Sequence, residues 1–151
     1  MKYFFTKKEK IRIDIGCGKN KTEGYIGVDI DPNSNADIIA SALALPFKDN
    51  SIDEIISSHL LEHFSSGDAQ IFFNEIYRVL KNNGMVYLKI DRDWTKKRLL
   101  NKDITHKHRY SAKEIRKILE TTKFNEIIIK NKIYMHKCFN FRNKIFVFLK
   151  K

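Results

Sequence analysis

Two glycines and two carboxylates near the start of the chain carry the first recognisable chemistry. Ile11-Arg12-Ile13-Asp14-Ile15 alternates as a strand does and stops at Gly16-Cys17-Gly18; Tyr25-Ile26-Gly27-Val28-Asp29 reads as a second strand with a carboxylate at its tip. A glycine turn lets backbone approach a ligand closely, and a carboxylate at the tip of the next strand can accept both hydroxyls of a ribose. Together they describe a nucleoside pocket. A dinucleotide fingerprint needs a third glycine where the chain has Lys21, and an acidic residue about 20 positions on, for which Asp29 comes too early. No Gly-Lys-Ser/Thr follows the turn. The ligand reads as a nucleoside without a diphosphate, and a carboxylate at Asp14 suits an ammonium better than a phosphate.

Titratable groups come next. His59 follows the fourth expected strand, where it either moves a proton for a ligand or hydrogen-bonds within its own loop. His63 lies one helical turn on and reads as structural, with Glu62 packing near the glycine loop. His106 and His108 sit in Thr105-His106-Lys107-His108-Arg109-Tyr110 after the fifth strand. A His-x-His pair can hold a metal, but no third ligand has a recognisable spacing, so none is expected. Trp94, the one tryptophan, could stack on a sugar or base or wedge a lid in place. Cys17 and Cys138 are too few for a disulfide framework and suit a reducing compartment.

These residues need elements to position them. Asp37-Ile38-Ile39-Ala40 and Asp53-Glu54-Ile55-Ile56-Ser57 read as the third and fourth strands. From an N-cap at Asp68, Ile71, Phe72, Ile76, Val79 and Leu80 recur at helical spacing, with Asn82-Asn83-Gly84 as the stop. Met85 to Ile90 follows as a strand, and Ser111-Ala112-Lys113-Glu114 is a capping box opening a helix with Ile115, Ile118 and Leu119 on one face. Phe124 to Lys130 and Lys144 to Lys150 close the pattern as strands. The expected fold is α/β, Rossmann-like and doubly wound, with a mostly parallel sheet and helices on both faces, as one minimal domain over 1–151. The first crossover is the exception: nine residues, Gly16 to Gly24, where a parallel connection usually needs a dozen or more. Either its helix shrinks to about one turn or the first two strands pair differently.

With 42% hydrophobic and 31% charged residues among 151, the chain is neither disordered nor fibrous. No transmembrane segment of about 20 apolar residues and no signal-peptide pattern is present, so a cytoplasmic protein is expected. The net charge of +11 is uneven. Residues 1–80 carry 9 basic and 12 acidic side chains, net −3, and residues 81–151 carry 20 and 6, net +14. Such a field attracts nucleic acid, an anionic surface or an acidic substrate, or it reflects compositional bias. Lys96-Lys97-Arg98, Lys102, Lys107 and Arg109 belong to this half. The period-two phenylalanines Phe139, Phe141, Phe146 and Phe148 read as one buried strand face rather than a binding surface.

Five stretches in order carry a family resemblance: Asp14-Ile15-Gly16-Cys17-Gly18; Gly24-Tyr25-Ile26-Gly27-Val28-Asp29; Leu45-Pro46-Phe47-Lys48-Asp49-Asn50-Ser51-Ile52-Asp53-Glu54-Ile55; His59-Leu60-Leu61-Glu62-His63; and Tyr77-Arg78-Val79-Leu80-Lys81-Asn82-Asn83-Gly84. Together they resemble class I S-adenosylmethionine-dependent methyltransferases, within these the small type 11 group, over residues 11–130. The resemblance implies S-adenosylmethionine as cofactor. Asp14, Gly16, Cys17 and Gly18 would surround its methionine portion, Asp29 would hold the ribose hydroxyls and Ile30 would pack on the adenine. Ser41 stands where the family usually has an Asp for the adenine amino group, which leaves the hydroxyl or backbone at Ala42 and Leu43 to bind there. Ser58 completes the cofactor set. Asn82-Asn83-Gly84 replaces the usual Pro-Gly-Gly and should alter only turn chemistry.

Methyl transfer from a sulfonium is an in-line displacement whose main demand is alignment, and a base is needed only when the acceptor loses a proton. His59 and His106 are the catalytic candidates. The expected acceptor is a small molecule or glycan-linked, and anionic. Two other readings stay open: an RNA or DNA methyltransferase, and a non-catalytic binding subunit that keeps the fold. A partner subunit or homodimer fits so small a chain.

Overall fold

The computed structural model describes residues 9–91, 106–135 and 141–151. Seven strands form one sheet: β1 (Arg12–Ile15), β2 (Ile26–Asp29), β3 (Ile38–Ile39), β4 (Ile52–Ser58), β5 (Leu80–Asp91), β6 (Glu126–Met135) and β7 (Phe141–Lys150). Their spatial order is β3-β2-β1-β4-β5-β7-β6, and β7 alone runs against its neighbours. The order turns outward in both directions from the β1/β4 junction. In open α/β sheets ligands bind beyond the carboxyl ends of the strands at such a switch point. Among the described residues no helix is long and apolar enough to cross a membrane.

Helix α1 (Ser66–Val79) starts at Ser65, not at Asp68 as the residue types suggest. The Ser65 hydroxyl accepts from the Asp68 N–H, and the Asp68 side chain reciprocates on the Ser65 backbone, so Asp68 is the third helical residue of a capping box. The buried stripe is Ala69, Phe72, Phe73, Ile76 and Val79, with Ile71 turned outward at 48% exposure. The helix stops before Asn82-Asn83-Gly84, because Leu80 already pairs with Ile52 as the first residue of β5. Asn83 then takes the left-handed turn at φ 64°. Helix α2 (Ala112–Leu119) has the expected Ser111/Glu114 capping box.

The two helices touch one another, and both crossovers step in the same direction along the sheet, so they share one face. Beneath them lie Ile13, Ile15, Ile55, Val86, Leu88, Ile145, Val147 and Leu149, all buried. This reverses the expectation for the last strand. The aliphatic residues of β7 form its buried face, and Phe146 and Phe148 lie half-buried on the other side. The side chains of Phe139 and Phe141, with Trp94, Lys96, Lys97, Arg98, Lys102 and Cys138, lie outside the described residues.

The short first crossover resolves simply. β1 and β2 pair in parallel, and residues 16–25 are turns with no helix. Residues 30–37, before β3, hold no helix either.

Arg78, in the last turn of α1, ties the helix to the chain entering β4. Its guanidinium donates to both Glu75 carboxylate oxygens, to Asp49 and to the carbonyls of Leu45 and Phe47, while Glu75 also accepts the Leu45 N–H at 2.8 Å. The Arg78 bonds hold the Glu75 carboxyl below the usual glutamate range, against the opposing effect of burial. A carboxyl lowered by folding contributes stability that is present above its unfolded pKa and lost as pH falls through the folded one. Glu75→Gln should therefore destabilise the protein at pH 7 by about 2 kcal/mol, with the difference from wild type closing below pH 4 in urea unfolding. An unchanged gap at low pH would show that the Glu75 charge contributes nothing.

Candidate functional site

The glycine turn is built by backbone geometry that only small residues accept readily. Gly16 and Gly18 have φ of +70° and +53°, and a Cβ on Gly16 would fall 2.8 Å from Leu60 Cδ1. Both carboxylates of the motif shape this turn. Asp14, 5% exposed, accepts the Thr22 N–H at 2.9 Å and so folds the connection back over β1. Asp29 accepts the Gly18 N–H on one oxygen at 2.8 Å and the Asp31 N–H on the other at 2.9 Å. Each Asp29 oxygen keeps a lone pair for a further donor. That is the arrangement two vicinal hydroxyls require. Cys17 is buried, and burial together with the Asp14 and Asp29 charges raises its thiol pKa, so it stays protonated and packs instead of reacting.

Beyond the turn a cleft of about 580 Å³ opens along the carboxyl ends of β1, β4 and β5. Asp14, Gly16, Cys17, Ser58 and His59 line it with Thr22, Tyr87, Lys89 and Phe146. His59 holds φ at +59°, a conformation costing a non-glycine residue roughly 1 kcal/mol. Its N–H donates to the Lys89 carbonyl at 2.8 Å, which pins this turn to β5. The His59 ring is 38% exposed, and its Nδ1 lies 3.5 Å from Oε1 of Glu62, a carboxylate only 3% exposed as a residue.

A sheet of this order with a glycine turn and a strand-tip carboxylate at its switch point is matched by comparison with known proteins. The family described as a methyltransferase domain covers residues 13–88, half of the chain and the whole run from β1 into β5. The chain belongs to that methyltransferase family. S-adenosylmethionine is the methyl donor of this family, and the turn flanked by the Asp14 and Asp29 carboxylates has acceptor groups of the kind its hydroxyls and ammonium call for.

Several solved structures share the methyltransferase sheet. An S-adenosylmethionine-dependent methyltransferase from Archaeoglobus fulgidus superposes with a TM-score of 0.74 at 18% identity, over 94% of this chain and 86% of that one. Phosphoethanolamine N-methyltransferase 2 from Haemonchus contortus, solved with phosphomonomethylethanolamine and S-adenosylhomocysteine, gives 0.75 at 17% identity over 94% and 48%. An uncharacterized protein of Methanocaldococcus jannaschii is 33% identical over 107 residues, 62% of this chain and 46% of its own length. The chain thus spans about half the length of that relative and of the Haemonchus enzyme.

The remaining expected residues of the methyltransferase site divide. Ile30, past the tip of β2, is 71% exposed, an apolar surface beside the Asp29 carboxylate. Ser41 follows Ala40, whose N–H donates to the Asp29 carbonyl, and the Ser41 hydroxyl already accepts the Leu43 N–H at 3.1 Å. Ala42 and Leu43 are half-buried against the core. His106 does not line the cleft; its ring packs edge-on against His63 at 4.8 Å. His108 is held by Glu114 of α2 at 2.6 Å, and the N–H groups of Lys107 and His108 donate to the Glu62 carbonyl. Sequence reasoning misses the Glu62 carboxylate beside His59, for which the only signal is the three-residue spacing of a helical turn. It also misses Tyr87 and Lys89, which the alternation of β5 puts opposite the buried Val86 and Leu88.

Proposed function

We propose that the chain transfers the methyl group of S-adenosylmethionine to an anionic acceptor, small or glycan-linked, that enters the cleft beside His59. The observation that carries this reading is the pairing of Asp29 with Gly18 in the glycine turn, whose Gly16 and Cys17 line a cleft that Lys89 also lines. Asp14 would hold the ammonium of the methionine portion, Gly16 and Cys17 its backbone side, and Asp29 the ribose. Ile30 would cover the adenine, with Ser41, Ala42 and Leu43 at its edge and Ser58 at the mouth of the cleft.

S-adenosylmethionine supplies a methyl group on a positively charged sulfur, so little activation is asked of the protein. The chain's contribution is alignment and, for an acceptor with a proton to lose, a base. His59 suits that task, because its ring lines the cleft and Glu62, 3.5 Å from Nδ1, helps set the ring's orientation. Acceptor charge is supported by Lys89 and by the net +14 of residues 81–151. The Haemonchus neighbour was solved with a phosphate-bearing ligand, phosphomonomethylethanolamine.

Calorimetry with S-adenosylhomocysteine tests the cofactor half of this reading, with binding in the micromolar range as the expected result. Ser41→Asp should tighten it by about fivefold, since a charged acceptor gains roughly 1 kcal/mol over a hydroxyl. No heat at millimolar ligand would overturn the cofactor assignment. Labelled S-adenosylmethionine with a lysate fractionated into small molecules, glycans, RNA and protein tests the transfer. Cofactor binding with no labelled fraction would convert the reading to a non-catalytic binding subunit.

A further inference from the structure

The face of the sheet opposite α1 and α2 bears no helix among the described residues, and its side chains form an ordered array. Register places Tyr87 of β5 beside Phe148 of β7, and Lys89 beside Phe146, with Phe146 in turn beside Lys130 of β6. One step further along, Lys132 lies opposite Lys144, itself opposite Asp91. The Lys130 ammonium sits over the Phe148 ring at 5.9 Å and that of Lys132 over Phe146 at 5.6 Å. Tyr87 meets Phe148 edge to face at 5.3 Å. Antiparallel pairs such as β5-β7-β6 can leave one face to solvent, and rings ordered among cations on such a face form a surface a ligand can use.

Charge and repetition choose the occupant. A second copy of this chain laid on the same face would bring Lys89, Lys130 and Lys132 against their own counterparts. The occupant must instead be anionic, and it must offer flat surfaces to rings. Phe146 and Phe148, two residues apart on β7 and so roughly 6.6 Å along the strand, each carry their own cation. A repeated ring-and-cation unit matches a ligand whose own unit is a base and a phosphate. Aromatics for stacking beside a cationic track for the backbone are how single strands are held without base-specific readout.

We propose that the open β5-β7-β6 face binds single-stranded nucleic acid, with bases stacked on Phe146 and Phe148 and phosphates on Lys89, Lys130 and Lys132. The ammonium groups now resting on the rings would swing to the phosphates as bases replace them. Tyr87, Lys89, Phe146 and Phe148 also line the cleft of the transferase reading, so the strand would run into that cleft, but binding here needs no methyl donor and does not fail if that reading fails.

The test is fluorescence anisotropy of a labelled 20-nucleotide oligouridylate with the full chain, without cofactor. Raising salt from 50 to 200 mM should weaken binding by about 20-fold if three phosphates are neutralised on a single strand. Phe148→Leu, which keeps apolar volume but removes the ring, should cost about tenfold, and Lys130→Gln with Lys132→Gln should flatten the salt slope. Lys117→Gln, on the exposed side of α2, should change neither. Four results would each overturn the proposal. They are no binding at 100 µM protein, equal losses from Lys117→Gln and Lys130→Gln, tighter binding to phosphatidylserine vesicles than to the oligonucleotide, or a dimer in sedimentation that Phe148→Leu dissociates. Circular dichroism of Phe148→Leu separates a lost ring from a lost fold.

Discussion

Asp29→Ala is expected to weaken S-adenosylhomocysteine binding by about 100-fold in calorimetry, because the two charge-assisted bonds that the proposed ribose role gives Asp29 would together be worth roughly 3 kcal/mol. The position has a second duty that makes the loss steep. The same carboxylate accepts the N–H groups of Gly18 and Asp31, so its removal frees the turn that shapes the methionine end as well. Asp29→Asn separates the two duties. An amide keeps one acceptor oxygen and most of the volume, so it should hold one of the backbone contacts and lose about tenfold. Binding of the alanine variant within threefold of wild type would refute the ribose assignment. A loss accompanied by a collapsed far-ultraviolet spectrum would point to folding, and the asparagine variant would then decide.

This half of the site is legible in the sequence because its parts are local. Strand, glycine turn, strand and carboxylate follow one another within residues 11–29, and each has a residue-type signature that needs no tertiary information. The Ser111 capping box is legible for the same reason. Elsewhere two residue patterns compete, and tertiary pairing chooses between them. Ser65 and Asp68 are both good capping residues, and in a reciprocal box each caps the other, so the type of residue does not say which begins the helix. Asn82-Asn83-Gly84 is a sound stop, but Leu80 ends the helix first by pairing with Ile52.

The phenylalanines mislead for a deeper reason. From Ile145 to Leu149 both phases of the alternation are apolar, so period two establishes a strand without saying which phase faces the core. Helices decide that, and α1 and α2 lie over Ile145, Val147 and Leu149. The ten-residue connection after β1 is the clue the sequence holds. Too short for a crossover helix, it leaves one side of the sheet without that cover, and the rings of Phe146 and Phe148 are on that side.

The same dependence on tertiary structure hides the pairing of His59 with Glu62, which leads to the largest expected effect on rate. His59→Gln should lower methyl transfer by about 10²–10³-fold for an acceptor that loses a proton, while leaving S-adenosylhomocysteine affinity unchanged. Glutamine retains a polar side chain at the cleft but cannot carry the proton away. Measuring kcat beside S-adenosylhomocysteine affinity distinguishes this from a packing defect: a lost base lowers kcat alone. Glu62 acts here as a positioning residue through Nδ1. Glu62→Gln should leave the ring less firmly oriented and cost about tenfold in kcat, with S-adenosylhomocysteine affinity unchanged. A structural role alone would lower kcat and cofactor affinity alike. Should His59→Gln keep the wild-type rate, the base assignment falls, and the acceptor is one with no proton to give up, such as a carboxylate; the charge-bearing face of Lys89 would then be left with orientation as its sole task at the cleft.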